Sequence, residues 1–214
     1  MSASRLGRVA LVALVAGSAL VVAQERSPGV TSQDVARGYK EPTRWPTYSG
    51  DYTGQRHSPL TQITPSNVHR LSPQWTFQTG IIPRRGYEGT PLVVDGVMYL
   101  TGPFNTAWAV DARTGRTFWQ YRRELPNDLT YGNVSPVNRG MGILGNLLFL
   151  PTADAHLVAL DTASGNVVWD TVLADYKIGY AATPAPLVVK DKVIMGTERR
   201  TRSRSEEHTS ELQS

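Results

Sequence analysis

Hydrophobic and polar positions along the chain follow a unit that occurs twice. Residues 109–119 read AVDARTGRTFW and residues 159–169 read ALDTASGNVVW, with Ala, Asp, Gly and Trp at matching positions. The two Trp residues lie 50 residues apart, a period typical of repeated supersecondary units. In each copy the pattern predicts a strand, a turn at Asp and Gly, and a second strand that ends in Trp.

Each shared position has a predicted role. We expect Asp111 and Asp161 to accept hydrogen bonds from backbone N–H groups of the turn. Gly115 and Gly165 are expected to supply positive φ. A single copy would be a hairpin with a core Trp. Because the Trp recurs once per unit, we expect it to lie between neighbouring sheets, where such a ring buries on the order of 150–250 Å².

Pairs of apolar runs, each interrupted by a two-residue turn signal, recur at nearly the same period. They span residues 90–101, 140–151 and 185–196, with turns at Asp95-Gly96, Gly145-Asn146 and Lys190-Asp191. Each unit is therefore a hairpin, a strand, an Asp–Gly turn and a Trp strand. The sequence predicts an all-β fold, a β-propeller of four-stranded antiparallel blades, with roughly the first three blades in residues 44–197.

Other segments predict only short elements. Residues 24–43 are polar and are expected to form an N-terminal arm with a helical turn over Thr31–Arg37. A second helical turn is predicted from Thr64 to before Leu71. Residues 74–79 alternate as a strand, in which Trp75 stands in an earlier, degenerate Trp position.

The two ends of the chain are predicted to lie outside the propeller. Residues 1–23 combine basic residues, an apolar run and small residues before position 24, which predicts a cleaved signal peptide. A retained membrane anchor is the alternative, although the run is short for a span of about 20 residues. Residues 198–214 are expected to be a non-native or disordered tail. The segment from Arg204, RSEEHTSELQS, resembles a translated sequencing adapter, and a natural charged tail is the alternative.

Composition excludes some classes of function. The formal net charge is +4, but four of the basic residues crowd into 199–204, so no nucleic-acid partner is predicted. The chain has no cysteine, which excludes zinc and haem sites that need thiolate ligands. His57, His69 and His156 show no metal-ligand spacing and are expected to be surface or loop residues.

Six segments occur in an order that resembles the N-terminal part of the pyrroloquinoline quinone (PQQ)-dependent alcohol dehydrogenases. They are WPTYSGDYTGQRHSPLTQI, YEGTPLVVDGVMYL, TGPFNTAWAVDARTGRTFWQY, SPVNRG, AHLVALDTASGNVVWD and GYAATPAPLVVKDKVIMG. The resemblance runs from Trp45 to Gly196 and implies a longer, eight-bladed periplasmic enzyme. Such an enzyme would hold PQQ with Ca²⁺ or a lanthanide, oxidise a small alcohol or sugar, and pass electrons to a cytochrome c or a quinone.

The resemblance implies a role for three residues. Glu88, in YEGTP, matches a glutamate that bonds the quinone cofactor. Arg139, in VNRG, matches an arginine that binds a PQQ carboxylate, which suits its planar fork of donors. Thr183, in ATPAP, matches a cofactor-binding threonine. Without the resemblance they would be a turn carboxylate, a solvated loop arginine and an ordinary threonine at the start of a strand. Because all three precede or begin the first strand of a blade, they are expected to converge on one axis.

The sequence also departs from the family pattern. Many members carry adjacent cysteines where this chain has Asn133 and Val134, which weakens the case for methanol or ethanol and admits sugar-type or other substrates. The catalytic aspartate and most metal ligands are expected beyond the end of the chain, so no catalytic or metal residue is predicted here and the chain alone is expected to be inactive. The alternative is a non-enzymatic propeller that scaffolds the cell envelope. Glu88, Arg139 and Thr183 together favour the enzyme.

Overall fold

The computed structural model describes residues 29–38, 41, 43–82, 86–129 and 137–199. Within these ranges the regular elements are one short helix, two 3₁₀ turns and twelve strands. The helix is α1 (Ser32–Arg37), and the 3₁₀ turns are Val68–Arg70 and Tyr176–Ile178. The strands are β1 (Leu92–Val94), β2 (Val97–Gly102), β3 (Thr106–Asp111), β4 (Thr117–Arg122), β5 (Gly142–Leu144), β6 (Leu147–Pro151), β7 (His156–Asp161), β8 (Val167–Val172), β9 (Tyr180–Ala181), β10 (Leu187–Val189), β11 (Lys192–Ile194) and β12 (Glu198–Arg199).

Two four-stranded antiparallel sheets repeat the same connectivity. The first has the order β1-β2-β3-β4 and the second the order β5-β6-β7-β8. Their registers also agree, since Ala109 pairs with Trp119 in the first sheet and Ala159 pairs with Trp169 in the second, each just before a register shift. The β10–β11 hairpin repeats the first two strands of the pattern. The predicted four-stranded repeat and the all-β class are therefore confirmed.

The Asp–Gly turns have the predicted geometry. The Asp111 carboxylate accepts hydrogen bonds from the N–H groups of Arg113 and Thr114, at 2.8 and 2.9 Å. Asp161 accepts from the corresponding residues of its own turn, at 3.2 and 2.9 Å. Gly115 and Gly165 both have a φ of +72°, a conformation that only glycine adopts without steric cost.

Trp119, one of the two repeated Trp residues, lies between sheets, as predicted. Trp119 of the first sheet packs on Gly165 of the second, where an added Cβ would lie 2.6 Å from the indole ring. Its Nε1 donates a hydrogen bond to the Thr162 carbonyl at 3.0 Å. Trp75 packs on Gly115 in the same way, also at 2.6 Å. Trp75 therefore holds the earlier Trp position that the sequence indicates.

Apolar residues of the second sheet divide between its two faces. Leu148, Leu150, Val158 and Leu160 belong to a core shared with the first sheet. Phe149, Leu157 and Ala159 belong to a second cluster with Val188 of β10. Because both faces are buried, β6 and β7 read as nearly continuous apolar runs rather than as an alternating pattern.

The strand predicted over residues 74–79 is wrong, because no strand of the described chain pairs with this segment. Its aromatic side chains nevertheless pack against the first sheet. Trp75 covers Gly115, and the ring of Phe77 meets that of Trp108 edge to face at 5.8 Å. The alternating pattern therefore reflects side-chain packing, while none of the described strands lies beside this backbone to pair with it.

The N-terminal arm packs on the sheets. The predicted helical turn is α1, in which Thr31 and Asp34 form a capping box, and Val35 is buried in the shared core. The backbone of Val30 pairs with Gly145. The 3₁₀ turn at Val68–Arg70 confirms the second predicted turn, which ends before Leu71.

The predicted boundaries at the chain ends are only partly described. β12 (Glu198–Arg199) pairs with β9, so a strand begins directly after the boundary predicted at 197. The predicted signal peptide, 1–23, and the rest of the predicted tail lie outside the described residues. Among the residues with described positions, no helix has the length and apolar character needed to cross a membrane.

Candidate functional site

The three residues singled out by the sequence lie at equivalent places in the repeat. Glu88 stands four residues before β1, Arg139 three residues before β5, and Thr183 four residues before β10. Each therefore precedes the first strand of a successive unit. Arg139 comes 51 positions after Glu88 and 44 positions before Thr183, and the repeated order of the strands explains how residues so far apart in sequence can lie side by side.

Arg139 contacts both of the other residues. Its Nε lies 3.3 Å from Oε2 of Glu88, and its Nη1 donates a hydrogen bond to Oγ1 of Thr183 at 2.7 Å. The backbone N–H of Arg139 also donates to the Thr183 carbonyl at 3.0 Å. The structure thus brings all three predicted residues together, with the guanidinium at the centre.

The cluster has an accessible side and a buried side. The side chains of Arg139 and Glu88 are 42% and 34% exposed, whereas Thr183 is 2% exposed. An ion pair with this exposure contributes about 0–1 kcal/mol to stability. The guanidinium carries five N–H donors, and its contacts with the described residues engage only Nε and Nη1, so further donors can reach an acceptor. A planar acceptor such as a carboxylate is the chemistry that this fork matches.

Asn138 supports the backbone at Arg139 and was missed by the sequence reasoning. It is 3% exposed, its Nδ2 donates to the Pro151 carbonyl at 2.8 Å, and its Oδ1 accepts from the Gly140 N–H at 2.9 Å. An amide that bonds the N–H two residues ahead forms an Asx turn, so the Asn before Arg139-Gly140 was the available signal. The long-range bond to Pro151 had no local signal.

Gly89 lets the segment that carries Glu88 approach the first sheet closely. A Cβ at Gly89 would lie 2.3 Å from Oγ1 of Thr101. That buried hydroxyl has no hydrogen-bond partner among the described residues. A side chain at position 89 would therefore displace Glu88 from its position beside Arg139.

A second polar cluster joins the two four-stranded sheets. Nε of Arg123 donates to Asp154 Oδ2 at 2.9 Å, and its Nη1 donates to Asp170 at 2.6 Å. Nδ1 of His156 lies 2.6 Å from Oδ1 of Asp170. Burial raises the pKa of Asp170, but the hydrogen bonds from Arg123 and His156 outweigh it and leave that pKa below its ordinary value. This cluster stabilises the contact between sheets and has no contact with Glu88, Arg139 or Thr183.

Two predictions about metal and cofactor chemistry remain untested. Asn133 and Val134, which replace the adjacent cysteines, lie outside the described residues. In the described ranges, no three His, Asp or Glu side chains lie close enough to hold a metal ion.

The PQQ family described as "Glucose/ethanol/alcohol dehydrogenase, beta-propeller domain" matches residues 45–213. The chain belongs to this family. Similar proteins include a quinoprotein alcohol dehydrogenase of Pseudomonas putida, which is 41% identical over 84% of this chain and 30% of its own length. A 1-butanol dehydrogenase (quinone) of Thauera butanivorans is 42% identical over 76% of this chain and 26% of its own length.

A solved structure of a europium-containing methanol dehydrogenase has the same fold over this part of the family domain. Its TM-score is 0.72 at 34% identity, and the match covers 78% of this chain and 29% of that chain. The predicted propeller class and the predicted resemblance to PQQ-dependent dehydrogenases are therefore confirmed. The chain spans less than a third of the length of these relatives.

Proposed function

We propose that this chain is part of a PQQ-dependent alcohol dehydrogenase, and that Arg139, Glu88 and Thr183 bind the PQQ. The observation that carries the proposal is the contact of the Arg139 guanidinium with both other side chains. These residues come from three successive repeats and meet only through the fold. A non-enzymatic scaffold would gain little stability from an exposed pair of this kind.

The chemistry of the cluster fits PQQ, a planar quinone that bears several carboxylates. Arg139 is exposed enough to bind a carboxylate through the donors that its present contacts leave. The Thr183 hydroxyl lies under the guanidinium and holds it from the buried side. Glu88 keeps the guanidinium from turning away and offers an acceptor oxygen to the same ligand.

When bound, PQQ would supply an electron-accepting quinone for the oxidation of an alcohol. The described residues would bind and orient that quinone. In this proposal, the catalytic aspartate and the ligands of Ca²⁺ or a lanthanide belong to other parts of a longer, eight-bladed protein. The chain alone would then be inactive.

The substrate, the electron acceptor and the location form part of the same proposal. The relatives are named for alcohols, which favours a small alcohol over a sugar as the substrate. Electrons would pass to a cytochrome c or to a quinone, the latter being the acceptor named for the butanol relative. The predicted signal peptide over residues 1–23 would direct the protein to the periplasm.

Titration of PQQ into the full-length protein, with and without Ca²⁺, tests the proposal. Fluorescence quenching would report the Kd of the wild type and of the variants Arg139→Ala and Arg139→Lys. A hydrogen bond to a charged group contributes about 1.5–3 kcal/mol, so we expect Arg139→Ala to raise Kd by about 10–150-fold. Arg139→Lys should recover only part of the affinity, because it keeps the charge and loses the fork.

Arg113→Ala is the matched control. Arg113 is an exposed arginine in the turn after β3, so its loss removes the same charge away from the site and should leave Kd unchanged. The proposal fails if the wild type does not bind PQQ, or if Arg139→Ala and Arg113→Ala bind it equally well.

A further inference from the structure

The backbone on both sides of Arg139 is fixed by buried hydrogen bonds. The Asn138 side chain accepts from the N–H of Gly140 at 2.9 Å and so bridges Arg139. The N–H of Arg139 itself donates to the Thr183 carbonyl at 3.0 Å. Gly140 has a φ of +133°, and a Cβ there would lie 3.3 Å from Cβ of Ala185. The segment 138–140 therefore has little freedom to change direction.

The Arg139 side chain, by contrast, is 42% exposed, and its polar side-chain partners in the described part of the chain are Glu88 and Thr183. A long, half-exposed side chain has many rotamers, and holding it in one of them costs about 2 kcal/mol of entropy. Glu88 and Thr183 can hold the guanidinium only if the Cα–Cβ bond of Arg139 already points between them. The direction of that bond is set by the backbone, which is held by the Asn138–Gly140 hydrogen bond together with the bond from the Arg139 N–H to the Thr183 carbonyl.

The end of β6 supports Arg139 and Thr183 together. The Pro151 carbonyl accepts from Nδ2 of Asn138 at 2.8 Å. The next carbonyl, that of Thr152, accepts from the N–H of Ala182 at 3.1 Å. Ala182 directly precedes Thr183. Two consecutive backbone carbonyls, those of Pro151 and Thr152, thus fix the position of Arg139 relative to Thr183.

We propose that Asn138 is a positioning residue for cofactor binding, which acts by orienting Arg139 and does not itself touch the cofactor. This inference rests on the proposed function. It assigns a task to a buried amide whose hydrogen bonds all go to backbone groups. The alternative is that Asn138 contributes only general stability, and a double-mutant cycle with Arg139 separates the two.

The cycle compares wild type, Asn138→Ala, Arg139→Ala and the double variant of the full-length protein, with the Kd for PQQ as the readout. Loss of the two hydrogen bonds should weaken binding by about fivefold to 50-fold in the wild-type background. If Asn138 acts through Arg139, the same substitution should change Kd by less than twofold when Arg139 is already alanine. Equal effects in both backgrounds would overturn the proposal.

Asn105→Ala is the matched control. Asn105 is also an asparagine with 3% exposure, and its Oδ1 accepts from the Ala153 N–H at 3.0 Å in the connection between β6 and β7. It has no contact with residues 138–140. Its loss should lower stability, and its effect on Kd should be small and the same in both Arg139 backgrounds. An effect of Asn105→Ala as large and as dependent on Arg139 as that of Asn138→Ala would contradict the assignment.

Asn138→Asp provides a second test if the alanine variant does not fold. The aspartate keeps an acceptor for Gly140 but, when ionised, cannot donate to the Pro151 carbonyl. The affinity of Asn138→Asp for PQQ should therefore be reduced near pH 7 and should recover toward that of the wild type as the pH falls and the carboxyl group becomes a donor. At each pH, the Kd of the variant is compared with the Kd of the wild type. A ratio of the two Kd values that does not change with pH would count against the positioning role.

A readout without cofactor keeps this inference separate from the proposed function. Hydrogen exchange of the Arg139 and Gly140 amides should be slow in the wild type and in Asn105→Ala, and at least tenfold faster in Asn138→Ala. If the wild type fails to bind PQQ while this change is observed, the proposed function fails and Asn138 still fixes the segment. Unchanged protection of both amides in Asn138→Ala would overturn the inference.

Discussion

The packing of Trp119 on Gly165 makes one comparison of glycine substitutions especially informative. Gly165 and Gly96 both occupy turns between strands, with φ values of +72° and +79°. At Gly165 an added Cβ would lie 2.6 Å from the Trp119 ring, whereas at Gly96 no atom of the described residues, apart from the glycine and its two chain neighbours, lies within 4 Å of that position. Gly165→Ala and Gly96→Ala therefore share the backbone cost and differ in the steric one.

The magnitudes follow from these two contributions. A non-glycine residue in the left-handed region costs roughly 1–2 kcal/mol, which both variants should lose. Overpacking against a buried group costs typically about 1–3 kcal/mol more, and only Gly165→Ala should show it. We expect Gly96→Ala to lower the free energy of unfolding by about 1–2 kcal/mol and Gly165→Ala by about 2–5 kcal/mol.

Urea unfolding followed by far-ultraviolet circular dichroism would measure the difference, since neither variant changes the chromophores that report helix and strand. The m-value should be the same for both variants, so that the change lies in the midpoint. Adding Trp119→Ala should remove the excess cost of Gly165→Ala, giving a non-additive pair. Equal destabilisation by the two glycine variants would refute the view that the Trp fixes the spacing between sheets.

Three further predictions concern single residues. Burial raises the pKa of Asp170, but its hydrogen bonds outweigh burial and hold that pKa below its ordinary value of 3.8. The Asp170 carboxylate therefore contributes stability above pH 3.8, and this contribution is lost as the pH falls through the lowered pKa. In urea unfolding, Asp170→Asn should lose less stability than the wild type between about pH 6 and pH 3. Leu148→Ala should lower the free energy of unfolding by about 2–5 kcal/mol, whereas Ile194→Ala, at a residue that is 55% exposed, should cost less than about 1 kcal/mol. Thr31→Ala should cost about 1 kcal/mol by removing the cap of α1, and Thr31→Ser should restore most of it; thermal unfolding of the three proteins tests whether the hydroxyl is responsible.

Local sequence signals predicted the elements that depend on neighbours in the chain. The hairpins at Asp95-Gly96 and Gly145-Asn146 and the turns at Asp111 and Asp161 close within a few residues, so their signals lie in one short window. The same kind of signal was misleading at residues 74–79, because a strand also needs a partner backbone. Asn138 was missed for the related reason that its partner carbonyl, that of Pro151, lies 13 residues away at the end of β6.

The three residues of the candidate site were indicated by the resemblance to the PQQ-dependent dehydrogenases, and the repeat predicted that they would lie close together. Glu88, Arg139 and Thr183 each stand just before the first strand of a unit, and the stacking of units brings these positions together. The contact between Glu88 and Arg139 spans the first and second sheets, where Trp119 packs on Gly165. The contact between Arg139 and Thr183 spans the second sheet and the β10–β11 hairpin, where Phe149 and Val188 share a core. Each half of the site therefore depends on a different apolar interface, and a substitution that changes the spacing at Gly165 should move Glu88 relative to Arg139 while leaving Thr183 in place.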